Sequence, residues 1–294
     1  MTTAKLGVIG GSGLYALPEL RDIRTVDIDT PFGPPSAPPT VGTLGALDVV
    51  FLSRHGVGHA FSPTDLPYRA NLYALKALGV THVVSISAVG SLRDEIPPRS
   101  LVLPDQLIDR TVARARSFFD EGIVAHVGIA DPFCPTLRDA LETAATVAGL
   151  PATNGGTFVC IEGPQFSTRA ESNLYRSWDA AVIGMTAMPE ARLAREAELC
   201  YATAAFVTDY DVWHDTAAAV SVELVMSNLS ANVDASRALL LSLAENGLPE
   251  RSCPCPDALA NAVVTNPALI TDRHRARLGA VGARYLGAPG TAPA

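Results

Sequence analysis

Short, nearly unbroken apolar runs punctuate this chain, at 6–9, 82–87, 101–103, 157–161, 181–183 and 201–208, and several end in glycine or hydroxyl-bearing residues. Runs of this length that do not alternate polar with apolar suit strands covered on both faces. Between them fall helical patterns. Residues 68–78 follow Pro67 and stop at Gly79, and 167–178 open on Thr168-Arg-Ala-Glu171, the spacing of a capping box. Residues 189–199 carry Pro189 and Glu190 in the first turn, and a long pattern over 221–246 ends at Gly247 and Pro249. Strands alternating with helices predict an α/β fold with a central mixed, twisted sheet flanked by helices.

The sequence contains no internal repeat and no convincing linker, and the Pro-rich piece 31–39 reads as a loop. The expectation is one domain over 1–294, with a C-terminal helical tail from about 250 to 294. Hydrophobic residues make up 48% and charged residues 18% of the chain, which excludes a disordered protein. The net charge of −8 opposes nucleic-acid binding through the overall field, and so few charges suggest surface hidden between subunits. The N-terminal apolar run is too short for a secretory signal, and no run approaches the ~18 residues of a membrane span. A cytoplasmic location is expected, with no membrane partner. Five cysteines at irregular spacing indicate neither a disulfide framework nor a metal site; Cys253-Pro-Cys255 is the one conspicuous pair.

Three strand ends carry groups suited to an anion. Gly10-Gly-Ser12-Gly follows the first run, and its glycines let backbone N–H groups approach a phosphate while Ser12 adds a hydroxyl. The stretch 11–16 also matches a dinucleotide-binding pattern, with Asp27 or Asp29 as the ribose acid. Pro18 and the shortness of 14–24 argue against a crossover helix there. Arg54-His55-Gly-Val-Gly-His59 follows an apolar run at 49–52, so that Arg54 and His55 can both donate to phosphate, with His59 facing the same pocket. Ser87-Ala88-Val-Gly90 supplies the third turn, and together the three predict a phosphate cradle at one sheet edge.

The opposite chemistry sits at Thr208-Asp209-Tyr-Asp211. Two carboxylates spaced i, i+2 at a strand's end can address one ligand if the backbone bends, and their repulsion favours a proton on one of them. Phe166, after Gly163-Pro164, is either a stacking platform for a base or a core residue.

These pieces occur in a fixed order: Gly-Gly-Ser-Gly-Leu (10–14), Arg-His-Gly-x-Gly-His (54–59), Tyr-Arg-Ala-Asn (68–71), Ala-Val-Gly-Ser-Leu (88–92), Glu-Gly-Pro-x-Phe-Ser-Thr-Arg-Ala-Glu-Ser (162–172), Met-Thr-Ala-Met-Pro-Glu (185–190) and Thr-Asp-Tyr-Asp-x-Trp (208–213). Over roughly residues 5 to 270 the set resembles the 5′-methylthioadenosine phosphorylases of the trimeric purine nucleoside phosphorylase family. The resemblance implies reversible phosphorolysis of a 5′-modified adenine nucleoside to adenine and a 5-modified ribose 1-phosphate. It assigns phosphate to Ser12, Arg54, His55, Ser87, the Ala88 backbone and Thr186. It assigns the nucleoside to Phe166, Ser167 and Met185, with Val222, Val225 and Met226 at the 5′ group and His126 supplied by a neighbouring subunit. Asp209 and Asp211 would face N7 and the 6-amino group, with Asp209 as the proton donor. The implied assembly is a homotrimer, phosphate is a co-substrate, and no metal or organic cofactor is needed.

Asp209 matters for specificity, because the similar 6-oxopurine enzymes carry Asn there and an ionised carboxylate repels a 6-oxo group. Phosphorylases of 5′-halo-5′-deoxyadenosines look much the same, so the 5′ substituent stays open, and a 6-oxopurine enzyme is the further alternative. The chain departs from the family at Gln165, where Arg is common. Residues 110–119 resemble the family's active-site loop; without that resemblance they read as a solvated basic turn.

Overall fold

The computed structural model describes residues 4–11, 18–214 and 222–290, with the side chains of 222–227 and 229 outside that description. In chain order the strands are β1 (Lys5–Gly10), β2 (Leu20–Thr25), β3 (Thr40–Leu44), β4 (Leu47–Ser53), β5 (His82–Ser91), β6 (Leu101–Leu103), β7 (Gln106–Arg110), β8 (Ala152–Asn154), β9 (Thr157–Ile161), β10 (Ala180–Gly184) and β11 (Cys200–Asp209). The helices are α1 (Tyr68–Ala77), α2 (Pro135–Val147), α3 (Arg169–Ser177), α4 (Ala187–Glu196), α5 (Val222–Asn246) and α6 (Asp272–Leu286). Each of the six runs expected to be strands is one, within a residue or two except at β5, which continues to Ser91. The Thr168–Glu171 capping box forms at the start of α3, with both reciprocal hydrogen bonds present.

All the strands belong to one mixed sheet whose main path runs β2-β3-β4-β1-β5-β10-β9-β7. The sheet branches at β5. Its first residues lie between β1 and β11, both parallel to it, and its last two pair antiparallel with β10. Side chains along the central strands go alternately to two cores, as the period of two demands. Ile9, Val50, Leu52, Val83 and Val207 pack with α1, α4 and α6 on one face. Val8, Val49, Phe51, Val84 and Phe206 pack with α2 and α5 on the other. The sheet is therefore covered on both sides, and every residue of β11 is buried. Within the C-terminal tail, Leu278, Val281 and Leu286 of α6 enter the first core, so the tail is part of the packed body.

The strands that apolar runs did not announce lie at margins. β2 exposes five of its six residues, Arg21, Asp22 and Arg24 among them, which blunts an edge against further pairing. β8 is three exposed residues. The dinucleotide reading also ends here. β2 begins at Leu20 and pairs antiparallel with β3, leaving no length after Gly11 for a crossover helix.

Candidate active site

Strands β4, β1 and β5 are adjacent and parallel, so their C-terminal ends open on one edge of the sheet. Two of the three turns expected to hold an anion, those after β1 and β4, therefore begin at one edge; the third, Ser87–Gly90, is no turn but part of β5, which pairs with β11 and runs on past the end of β1. The Arg54 amide donates to the Gly10 carbonyl at 3.0 Å and ties the first two together. Ser12 falls outside the described residues.

Ser87 projects near the end of β5 and is buried, and its Oγ stands 3.4 Å from Thr186 Oγ1. Thr186 is the N-cap of α4, and its side chain makes no capping bond, so its hydroxyl is not spent on the helix. Met188 is extended (φ −116°, ψ 134°) and its amide donates to Cys160 Sγ at 3.3 Å, so regular helix begins only after it and Thr186 is one short turn ahead of that start. Ala88 follows Ser87 and is exposed at the same edge, although the β5 residues around it are buried. Ser87 and Thr186 therefore bring two hydroxyls together at this corner of the sheet, with the Ala88 backbone beside them.

Arg54 holds this corner from below. Its Nε donates to Glu190 Oε1 at 2.6 Å, Nη2 to Ser85 Oγ at 2.6 Å, and Nη1 to the Ile86 carbonyl at 2.9 Å. Burial alone lowers its proton affinity, but the charge and hydrogen bonds of Glu190 outweigh that and raise it. Glu190 is 1% exposed and also accepts from Ser85 Oγ (2.9 Å) and Tyr201 Oη (3.0 Å). The sequence suggested only a helix-dipole role for Glu190; its place is as the partner of a buried cation. Arg54 therefore serves first to fix the carbonyl that precedes Ser87, and supplies positive charge behind the corner.

His55 differs from expectation. Its Nδ1 lies 2.9 Å from the Phe61 carbonyl, and so must carry the hydrogen. Burial, offset in part by that hydrogen bond, then helped by Arg54 and His59, lowers its pKa to about 4. With Nδ1 holding the hydrogen and the pKa lowered, Nε2 is left as an acceptor rather than a donor. A phosphate dianion beside it will favour protonation, so binding is expected to take up a proton. Calorimetric titration of phosphate near pH 7 in buffers of different ionisation enthalpy should show that uptake, and His55→Ala should abolish it. His59 is exposed, with φ +59°, and stacks on His55 with ring centroids 4.1 Å apart.

The carboxylates lie farther along the same pair of strands. Asp209 is the last residue of β11, and a register shift between Val207 and Asp209 sets it opposite Gly90 of β5. The bend that the i, i+2 spacing needs is present: Asp211 has φ +53°, and its amide donates to Asp209 Oδ1 at 2.8 Å. Thr208 Oγ1 donates to Asp209 Oδ2 at 2.7 Å. A Cβ at Gly90 would come within 3.0 Å of Asp209 Oδ1 and 3.3 Å of the Asp211 Cβ, so glycine makes room for the pair. From α5, Asn228 Nδ2 donates to the Thr208 carbonyl (2.8 Å) and Asn232 Nδ2 to that of Val207 (3.1 Å), which clamps the strand end. Burial raises the pKa of both carboxyls, opposed at Asp209 by the hydrogen bonds from Thr208 and the Asp211 amide. Asp211 Oδ2 and Ser167 Oγ are buried without a hydrogen-bond partner among the described residues. Such groups point to a ligand that completes them.

Phe166 is 47% exposed, which decides against a core role and leaves its ring free as a platform. Ser87 and Gly90 are three residues apart on one strand, about 10 Å. A ligand with an anion at one end and a flat, hydrogen-bonding base at the other fits that span.

The segment 110–119, which resembles the family's active-site loop, does not have the character of a solvated basic turn at Arg114. Arg114 has a side chain with no exposure. It donates from Nε to Glu162 Oε1 (2.9 Å) and from Nη1 to Tyr68 Oη (2.9 Å) and the Met185 and Met188 carbonyls (both 2.6 Å). Glu162 also accepts from Val112 N, from Ala113 N at 3.0 Å and from Thr64 Oγ1 at 2.9 Å. Burial would raise its pKa, but these hydrogen bonds and Arg114 prevail and lower it to about 2. Sequence spacing names Arg114 only as one of three basic residues; the flanking Phe118 and Phe119, both buried, were the signal that this loop packs inward. By fixing the Met185 carbonyl, Arg114 orients the residue next to Thr186. Gln165, where the family commonly has arginine, is exposed.

The phosphorylase superfamily profile matches residues 5–245. An S-methyl-5′-thioadenosine phosphorylase of Geobacter sulfurreducens is 49% identical over 96% of this chain and 99% of its own length. This chain belongs to the methylthioadenosine phosphorylase family. The relative from Koribacter versatilis is 48% identical over 97% of both chains. Among solved structures, a methylthioadenosine phosphorylase from an antarctic soil metagenomic library superposes with a TM-score of 0.89 at 45% identity, covering 96% of this chain and 99% of that one. The Schistosoma mansoni enzyme, solved with adenine, superposes with a TM-score of 0.79 at 35% identity, covering 83% of this chain and 92% of that one. The fold is thus the one that family uses.

Two groups of family positions are not joined to this pocket by the described residues. Val222, Val225 and Met226 fall in the first turns of α5, where side chains lie outside the description. His126 is exposed in a separate cleft with Arg116, Arg192 and Glu196, and that cleft contains neither the aspartates nor the phosphate corner.

Proposed function

We infer that this protein catalyses the phosphorolysis of 5′-methylthioadenosine to adenine and 5-methylthioribose 1-phosphate. The observation that carries the reading is the buried Asp209–Asp211 pair about 10 Å along β5 and β11 from the Ser87–Thr186 hydroxyls. Relatives at 48–49% identity over nearly the whole chain bear that enzyme's name, and a structural relative was solved with adenine.

In the reaction the bond from C1′ to N9 breaks, a phosphate oxygen bonds to C1′, and the departing purine takes a proton at N7. Charge develops as a cation on the ribose and as excess electron density on the base. Phosphate held by Ser87, the Ala88 amide, Thr186 and Ser12, with Arg54 behind them, faces the cation at short range. Asp209, its pKa raised by burial, carries the proton to N7, and Asp211 accepts from the 6-amino group. Phe166 covers the base, with Ser167 beside it and Met185 along the ribose. Val222, Val225 and Met226 meet the methylthio group.

The trimer and the location complete the proposal. His126 is exposed and away from its own chain's aspartates, which suits a role in the pocket of a neighbouring subunit in a homotrimer. Among the described residues no helix is long and apolar enough to cross a membrane, in keeping with a cytoplasmic enzyme. Phosphate and nucleoside are the only small-molecule partners the chemistry needs, without metal or organic cofactor.

Comparison of kcat/KM across adenosines that carry methylthio, chloro, fluoro or hydroxyl groups at the 5′ carbon tests the substrate. The methylthio compound should lead; a halogenated compound in first place would transfer the assignment to the 5′-halo-5′-deoxyadenosine phosphorylases.

A further inference from the structure

Cysteines that spacing along the chain leaves unrelated meet at the opposite end of β11 from the aspartates. Cys200 is the first residue of that strand and Asp209 the last, about 30 Å away at strand rise. Cys134 is the N-cap of α2, and its amide donates to the Tyr201 carbonyl at 2.7 Å. Cys253 and Cys255 arrive from the segment after α5. The four sulfurs all lie within 4.8 Å of one another. Cys134, Cys200 and Cys255 are buried and Cys253 half-buried, and each is a free thiol. Cys200 and Cys253 stand 3.4 Å apart, well beyond the ~2.05 Å of a disulfide. In a tetrahedron with metal–sulfur bonds of ~2.3 Å the sulfurs are about 3.8 Å apart, which is the scale of this cluster.

We propose that Cys134, Cys200, Cys253 and Cys255 form a structural zinc site that fastens the C-terminal segment to the starts of β11 and α2. The donor set favours zinc, since four sulfur ligands in a closed tetrahedron leave no position for water or substrate. Charge is also balanced. Each thiol that binds releases its proton, so four thiolates around a dication carry a charge of −2. Two guanidinium groups adjoin them. Arg195 Nη1 lies 3.5 Å from Cys255 Sγ, and Arg251, two residues before Cys253, lies near Cys200. The buried His82 Nε2 has no hydrogen-bond partner among the described protein groups, and a thiolate at Cys200 would satisfy it. A surface cleft lined by Thr81, His82, Arg251 and Ser252 opens beside the cluster and gives an ion a way in. Cys160, the fifth cysteine, lies apart, against Met188.

Full-length protein produced in zinc-supplemented medium should contain about one zinc per chain by elemental mass spectrometry. Exchange into cobalt(II) should give the intense visible bands of a tetrahedral tetrathiolate. Cys253→Ser should lose most of the metal and melt at lower temperature, while phosphorolysis by the folded fraction continues. If that variant does not fold, the wild-type chain still decides. Zinc no higher than in a cysteine-free control protein, a different metal in its place, or an unreduced denatured mass lowered by disulfide formation would overturn the proposal.

Discussion

Asp209→Asn is expected to lower kcat for methylthioadenosine by about 10²–10⁴, the range for loss of a positioned proton donor. The amide keeps the shape of the carboxyl: Oδ1 can still accept from Asp211 N, and Nδ2 in place of Oδ2 can donate to Thr208 Oγ1, whose own hydrogen turns to the Val89 carbonyl, so the strand end should stay as it is. What disappears is the transferable proton. The same change makes an N–H donor available to a 6-oxo group, so the ratio of inosine to methylthioadenosine turnover should rise. Steady-state kinetics on both nucleosides with wild type and variant would show it. An unchanged ratio would mean that Asp209 does not face the base. Because the working form of Asp209 is protonated, kcat should also fall on the alkaline side, through a pKa raised above the ordinary carboxylate range by burial. Asp209→Asn should remove that limb of the profile.

The second large effect is structural. Glu190→Ala should destabilise the protein by about 3–5 kcal/mol, because it leaves the Arg54 guanidinium buried with no counter-charge. The loss reflects an abandoned charge, and not the net worth of the pair. Glu190→Gln, which retains some hydrogen bonding to Ser85 and Tyr201, should fall between the two. The double variant Arg54→Met with Glu190→Met should recover much of the stability but not the activity, since the Ile86 carbonyl before Ser87 would lose its donor. Thermal or urea unfolding of the three proteins checks the order. Equal stability of Glu190→Ala and wild type would contradict the buried pair.

What could be read in the sequence, and what could not, follows from how far each interaction reaches along the chain. The central strands were legible because burial on both faces leaves an uninterrupted apolar run, as in β1 and β11. The capping box at Thr168 was legible because its partners are three residues apart. The phosphate corner was half legible: strand ends with glycines announce the loops, but only the adjacency of β4 and β1 brings two of them to one edge. The partnership of Arg54 with Glu190 spans 136 residues, so nothing local marks it. The neutral state of His55 depends on the Phe61 carbonyl and on burial, which a motif does not encode. Arg114 passes for a solvent-facing base until Glu162 and two carbonyls are found around it. The cysteine cluster was missed for the same reason, since its members come from three distant elements.

Release of free adenine from methylthioadenosine, followed with and without inorganic phosphate and alongside inosine, tests the account most directly. Adenine should appear only when phosphate is present, together with an equal amount of the sugar phosphate, and inosine should be a poor substrate. Adenine release that ignores phosphate, or faster turnover of inosine, would contradict it.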